Sequence, residues 1–264
     1  MTAILTAERI TKSYRLKDSE LVAVQNLSLE VQSNELLCIL GASGCGKSTL
    51  LSLFAGFSAP TSGKILLRGE PITGIDPRCG MVFQSYALFP WKTVRQNVEF
   101  PLRMRGARRR ERRELAEQLI DMVQLTGFAD HYPAELSGGM QQRVTIARSL
   151  AADPEVLLMD EPFAALDAMT RQVMQTELLR IQEASGKTIV FITHNLDEAL
   201  ILGHRIVVMS ARPGRIKTIF DNELPRPRGV AVQTSVPYAA LKTRIWEHVE
   251  EEVMQHIAAS RLAG

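Results

Sequence analysis

The stretch Gly41-Ala42-Ser43-Gly44-Cys45-Gly46-Lys47-Ser48-Thr49 constrains this chain more than any other. It fits G-x-x-x-x-G-K-[ST], a loop whose glycines let the backbone curl with its N–H groups turned inward. The run Glu35–Leu40 before it reads as a buried strand. Leu50, Leu51, Leu53 and Phe54 after it read as the apolar face of a helix. Strand, glycine loop and helix in that order offer a positive helix end to an anion. Lys47 is placed to reach the β- and γ-phosphates of a nucleotide, and Ser48 to ligate Mg²⁺. A bare glycine-rich turn with a surface lysine would need neither the strand nor the helix.

The rest of the composition sets bounds. A chain of 264 residues makes one large domain or two small ones. Hydrophobic content of 45% and charged content of 23% are ordinary for a globular protein. No apolar run reaches the ~18 residues of a membrane span. Met1–Arg9 lacks a basic segment followed by an apolar core, so no secretory signal is expected. The three cysteines, Cys38, Cys45 and Cys79, have no metal-like spacing and are expected to be free thiols in a reducing compartment. Cys45 lies beside Lys47 at a helix N-terminus, which predicts a lowered thiol pKa and a nucleotide site blocked by alkylation. A net charge of +2 does not by itself suggest nucleic acid.

Ahead of the loop, Ile4–Ile10 and Ala23–Val31 read as strands. Tyr14 between them is either a half-buried ring or a platform for a purine. After the loop helix, Pro60-Thr61-Ser62-Gly63 is a turn, and Lys64–Arg68 and Cys79–Gln84 are short strands. Gln84 opens an aromatic loop of Tyr86, Leu88, Phe89, Pro90 and Trp91, which either meets a partner or tucks into its own domain. Residues 102–132 read as helical, with Leu115, Leu119, Ile120 and Val123 on one face. The basic run Arg103, Arg105, Arg108, Arg109, Arg110, Arg112 and Arg113 has Glu111, Glu114 and Glu117 at helical spacing and no aromatics between. It reads as a solvated helix face rather than a nucleic-acid patch.

Further on, Leu136-Ser137-Gly138-Gly139 opens another helix, a second helix start of the kind that binds anions. Val156–Met159 is an apolar strand that ends in Asp160-Glu161, where α/β sheets bind ligands. Asp160 can serve a Mg²⁺ site and Glu161 can face a nucleophilic water. Ala164-Ala165-Leu166-Asp167 is a turn before the helix Met169–Glu183. The strand Thr188–Thr193 ends in His194, at a position equivalent to Asp160 and Glu161. Asp197–Leu202 is a short helix, and Arg205–Met209 and Arg215–Phe220 pair around Pro213-Gly214. The pattern breaks at Leu224, and Leu241–Ala258 is a last amphipathic helix with Ile245, Val249, Val253 and Ile257 on one face.

This ordered series resembles the ATP-binding cassette of an ABC transporter over nearly all of residues 4–221. The resemblance implies an α/β P-loop NTPase fold with a RecA-like core, an N-terminal antiparallel β subdomain and an α-helical subdomain. It implies an ATP-binding domain over residues 1–228 with a helical insertion at about 88–155, and a C-terminal helical extension over 229–264. By the same resemblance Tyr14 stacks on adenine, residues Gly41 to Thr49 hold the phosphates, and Gln84 touches Mg²⁺ and the attacking water. Ser137, Gly138 and Gly139 bind the γ-phosphate held by a second copy. Asp160 completes the metal site with Ser48 and Gln84, and Glu161 is the general base. Asp167 bridges the pair of copies, and His194 contacts the γ-phosphate.

The implied cofactors are ATP and Mg²⁺, and the implied activity is ATP hydrolysis coupled to transport. The implied partners are a second ATP-binding subunit, a membrane permease contacted near Phe89, Pro90 and Trp91, and a solute-binding protein, with no nucleic acid. The place of work is the cytoplasmic face of the inner membrane. Pro90-Trp91, Ser210-Ala211-Arg212-Pro213-Gly214-Arg215 and Leu224-Pro225-Arg226-Pro227-Arg228 are similar to the nitrate, sulfonate and taurine importer branch. The departures are Asn195 after His194, Ala164 before Ala165, and Met140 after the glycine pair. None removes a group assigned to chemistry. A soluble ABC ATPase acting on DNA or ribosomes would usually carry two cassettes or a long coiled coil, neither of which is here. A small-molecule kinase would leave the Ser137–Gly139 turn without a purpose.

Overall fold

The computed structural model describes residues 3–15, 19–211 and 213–262, and along 253–262 the side chain of Met254 alone. Met1, Arg212, Gly264 and the side chains of Val253 and Ile257 lie outside that description. In chain order the first elements are β1 (Ala3–Arg15), β2 (Glu20–Gln32), β3 (Leu36–Leu40), α1 (Lys47–Phe54), β4 (Ser62–Leu67), β5 (Glu70–Pro71) and β6 (Cys79–Val82). Then come α2 (Val94–Met104), α3 (Arg109–Met122), α4 (Gly138–Ala151), β7 (Val156–Asp160) and α5 (Ala168–Ser185). The chain closes with β8 (Thr188–Thr193), α6 (Leu196–Leu202), β9 (Arg205–Met209), β10 (Ile216–Asp221), α7 (Val230–Gln233) and α8 (Val236–Leu262). Packing divides it into two units, Met1–Asp76 with Ile189–Gly264, and Pro77–Thr188.

The first unit holds an antiparallel sheet in the order β2-β1-β4-β5. Along β2 the burial alternates, with Leu27, Leu29 and Val31 inside, as expected for a half-covered strand. The core strand β3 is different. All five of its residues are buried, and it lies parallel to both β8 and β9. Continuous apolar runs suit strands covered on both faces, which explains why neither β3 nor β8 alternates. β10 pairs antiparallel along the outside of β9. β8 and β3 run in register from Leu36↔Ile189 to Leu40↔Thr193, so their C-terminal ends share one edge.

The second unit has its own parallel pair, β6 and β7, with Val82 beside Met159. Here the sequence reading needs two corrections. β6 stops at Val82, so Gln84 stands beyond the strand rather than in it. The stretch 102–132 is not one helix. α2 starts earlier, on a capping box between Thr93 and Gln96, and ends where Gly106 takes φ 77. α3 then buries Ala116, Leu119 and Ile120. Its arginines pair along the surface, Arg110 with Glu114 at 2.7 Å and Arg113 with Glu117 at 3.1 Å, as a solvated face should. In the first unit the last helix begins at Val236 rather than Leu241, with Tyr238 and Ile245 buried.

Candidate active site

In the first unit the loop after β3 curls back before α1. Gly46 precedes the helix at φ 93 and carries no side chain to cap it. The first turn of α1 has no acidic residue either, so its positive end faces the loop. A Cβ on Gly46 would stand 2.6 Å from the Ala23 carbonyl oxygen, which restricts the position to glycine. Lys47 is buried and donates to the Gly41 and Ala42 carbonyls at 2.7 and 3.0 Å. Its ammonium is thereby held over the loop at the mouth of the curl. Ser48 follows, exposed, in the same turn.

Cys45 departs from the sequence reading. Its side chain is fully buried beneath the loop, and burial raises its thiol pKa against the opposing pull of Lys47, whose Nζ lies 4.0 Å away. The thiol is a packing group and not a reactive thiolate. The turn at Pro213-Gly214 lies against the same loop. A Cβ on Gly214 would fall 2.2 Å from the Cys45 carbonyl oxygen, so the Pro213-Gly214 turn fits under the loop only as glycine. Backbone bonds from Gly214 N to Ala23 O and from Gln25 N to Gly214 O fasten it there.

His194 follows Thr193, the residue beside Leu40, so it shares the strand edge from which the phosphate loop springs. It is exposed. Tyr14, near the end of β1, is 40% exposed, with Lys12 Nζ 5.2 Å from its ring centroid.

In the second unit the register of β6 and β7 brings Gln84, Asp160 and Glu161 to one strand edge. Asp160 and Glu161 are half-buried, and Glu161 is held at φ 45, a conformation that costs a non-glycine residue about 1 kcal/mol or more. Ser137 caps α4, its hydroxyl accepting from the Met140 N–H at 3.3 Å. Gly139 is buried, and a Cβ there would stand 2.7 Å from the Thr170 Cγ2 methyl. Ser137, Gly139, Met140 and Arg143 line a cleft of ≈ 600 Å³ with Met169 and Thr170 of α5. Asp167 caps α5 by accepting from the Met169 and Thr170 N–H groups at 3.0 Å, and these bonds hold its carboxyl below the ordinary carboxylate range.

The loop after Gln84 is gripped from both sides. Thr145 and Arg148 of α4 donate to the Tyr86 carbonyl, and Arg148 to that of Ala87 at 2.7 Å. Asn97 of α2, fully buried, accepts from Phe89 N and donates to the carbonyls of Phe89, Lys92 and Thr93. Phe89 packs at a tilt against Phe100, ring centroids 4.6 Å apart, whereas Trp91 is left 70% exposed. The aromatic loop thus splits between the two readings: Phe89 tucks in and Trp91 points out. Asn97, Thr145 and Arg148 were missed because an Asn, a Thr and an Arg inside helices carry no motif.

Comparison with known proteins agrees with this geometry. Residues 24–164 match the family model described as ABC transporter. An uncharacterised ABC transporter ATP-binding protein of Methanocaldococcus jannaschii is 48% identical over 257 residues, 97% of this chain and 95% of that one. The taurine import ATP-binding protein TauB of Roseobacter denitrificans is 50% identical over 213 residues, 80% of each chain. A solved dimeric post-hydrolysis state of the ATP-binding cassette MJ0796, bound to ADP and Pi, shares 34% identity at a TM-score of 0.73, covering 83% of this chain and 99% of that one.

Proposed function

Given that the chain belongs to the ABC transporter family of ATP-hydrolysing subunits, we propose that it energises import of a small anionic solute of the nitrate, sulfonate or taurine class. It does so as one of two copies at the cytoplasmic face of the inner membrane, beneath a separate permease served by a solute-binding protein. Among the described residues no helix is long and apolar enough to cross a membrane, which fits a peripheral subunit. Its half-identity to proteins named for taurine import favours that solute class. We assign residues 1–228 to the ATP-binding domain, with a helical insertion at about 88–155, and 229–264 to an extension.

The observation that carries the reading is the helix α1 with no side-chain cap, with buried Lys47 held over the loop before it. Lys47 and the loop N–H groups neutralise the β- and γ-phosphates of ATP, and Tyr14 offers its exposed ring to the adenine. The Ser48 hydroxyl, the Gln84 amide oxygen and the Asp160 carboxylate are hard oxygen donors suited to Mg²⁺, which supplies charge neutralisation when bound. Glu161 accepts a proton from the water that attacks the γ-phosphorus, and the bond to the β-phosphate oxygen breaks to release ADP and phosphate. His194 and Gln84 hold the γ-phosphate and that water in line. Ser137 and Gly139 receive the γ-phosphate of the second copy's nucleotide, and Asp167 stands at the junction. The anchored loop carries Trp91 outward to the permease, so the state of Gln84 reaches the membrane subunit through a stiff segment.

Glu161→Gln removes the proton acceptor and keeps the shape. Turnover is expected to fall at least ~100-fold while ATP still binds, and two copies should then stay closed around ATP and Mg²⁺. A variant that remains monomeric under those conditions ends the assignment of Glu161. The solute is tested by growth of a deletion strain on taurine or an alkanesulfonate as sole sulphur source, or on nitrate as sole nitrogen source. Rescue by the wild type and not by Glu161→Gln fixes the solute, and unimpaired growth on all of them removes the importer assignment.

A further inference from the structure

We infer that the C-terminal helix α8 is a brace for His194, with Tyr238 and Lys242 as positioning residues that act through Asp197 of α6. The inference rests on the reading of His194 as a γ-phosphate contact.

His194 sits between two residues that are both tied to α6. Thr193 hydrogen-bonds through its hydroxyl to the buried Glu198 carboxylate and accepts the Asn195 N–H at 2.9 Å. Asn195 caps α6, its side-chain oxygen accepting from Asp197 N at 2.9 Å and Glu198 N at 3.3 Å. The orientation of His194 is therefore that of the first turn of α6. But α6 has only seven residues, too few to hold itself in water. Its apolar residues Leu196, Ala199, Leu200, Ile201 and Leu202 are buried, and its polar groups are held by the chain beyond Asp221.

At the C-terminal end of α6 the carbonyls are met by side chains of the 222–228 segment. Asn222 donates to Leu200 and Gly203 at 2.8 and 3.0 Å. Arg226 donates to Leu202 at 2.7 Å. Arg228, almost wholly buried, donates to Ile201 and Gly203 at 3.2 and 2.7 Å. Cations at a helix C-terminus also favour its dipole. At the other end α8 takes hold. Lys242 reaches both carboxylate oxygens of Asp197, at 2.7 and 2.9 Å, and the Tyr238 hydroxyl donates to one of them at 2.7 Å. Asp197 is thus bound twice: its amide by the residue next to His194, its carboxylate by α8.

A brace needs a footing. Further along α8, buried Glu252 accepts the Ala211 N–H at 2.9 Å and pairs with Lys217 of β10 at 3.1 Å. Ala211 belongs to the turn that ends in Gly214, under the phosphate loop. One helix therefore holds both the segment bearing His194 and the turn backing the loop. A helix that merely covered α6 would need apolar contacts alone, and not a lysine and a tyrosine converging on one carboxylate.

The test uses the full chain and steady-state ATP turnover. The double variant Lys242→Ala with Tyr238→Phe should lower kcat about ten-fold with KM for ATP unchanged, and Lys242→Arg alone should keep kcat. In a His194→Ala background the same double variant should cost nothing further. An unchanged kcat in the double variant, a loss seen in KM instead, or an equal loss on top of His194→Ala overturns the brace. His194→Ala that leaves kcat intact on its own would instead remove the reading of His194, and that outcome is visible in the single variant.

Discussion

Two helix N-termini in this chain open on glycines, and they are built differently. α1 has no side-chain cap, a glycine at φ 93 before it, and a buried lysine held over the loop. α4 is capped by its own Ser137, opens with two glycines, and faces a broad cleft with exposed Met169 beside it. On the proposed reading, α1 holds the phosphates of the ATP bound by its own copy, and α4 meets the γ-phosphate held by the other.

The sharpest way to break that comparison is Lys47→Ala. It removes the buried side-chain cation at the start of α1, and ATP affinity or turnover should fall by ~100-fold or more, about 3 kcal/mol. Equilibrium binding of a fluorescent ATP analogue to the purified chain measures it. Retained affinity would mean the loop is not the primary site.

The units also differ in how they treat charge. In the first, Leu36 N donates to Nδ1 of His204 at 2.9 Å, and burial with nearby Arg226 and Arg228 lowers the His204 pKa to about 4. Below the ordinary value of 6.5 the unfolded chain takes up a proton that the folded chain resists. Stability from this group is therefore full above pH ~6.5 and is lost as pH falls towards 4. The arginines of α3 in the second unit sit in surface pairs worth only ~0.3–0.5 kcal/mol each. Hydrogen exchange across that pH range should show β3 and β9 loosening before α3, and His204→Gln should flatten the difference.

Gly214→Ala probes the support under the first site. Its Cβ would meet the Cys45 carbonyl at 2.2 Å, so either the turn or the loop must move. A cost of about 1–3 kcal/mol is expected, read as a lower thermal midpoint together with weaker ATP binding. Loss of stability with ATP affinity intact would show that the turn backs the fold and not the loop.

Much of this site was legible because its demands fall on the backbone and are met locally. Gly46 must sit at positive φ, the strand must end at Leu40, and Asp160 and Glu161 must follow an apolar run, and each requirement leaves a mark within a few residues. Cys45 was misread because residues far along the chain, Gly214 among them, pack against its loop, and no local pattern announces that a loop cysteine will be sealed from water. Residues 102–132 read as helical, but the periodicity behind that reading, Leu115 to Val123, lies wholly beyond Gly106, whose left-handed turn separates α2 from α3. Arg228 was visible only as part of a short motif. Two of its four carbonyl acceptors, Ile201 and Gly203, come to it only once the end of α6 has folded beside it.

The smallest expected effect makes the finest test of the two helix starts. In Ser137→Ala the cap of α4 is lost, and its bond to Met140 is long at 3.3 Å, so about 1 kcal/mol of stability should go. For a chain of this size that lowers the midpoint by ~2–4 °C. ATP should bind a single copy as tightly as before, because α1 is untouched. ATP-driven pairing of two Glu161→Gln copies should weaken when Ser137→Ala is added. If Ser137→Ala weakens nucleotide binding by the single chain as Lys47→Ala does, the two sites are not divided between copies. If pairing survives unchanged, the capped helix is structural, and the asymmetry between the two N-termini has another cause.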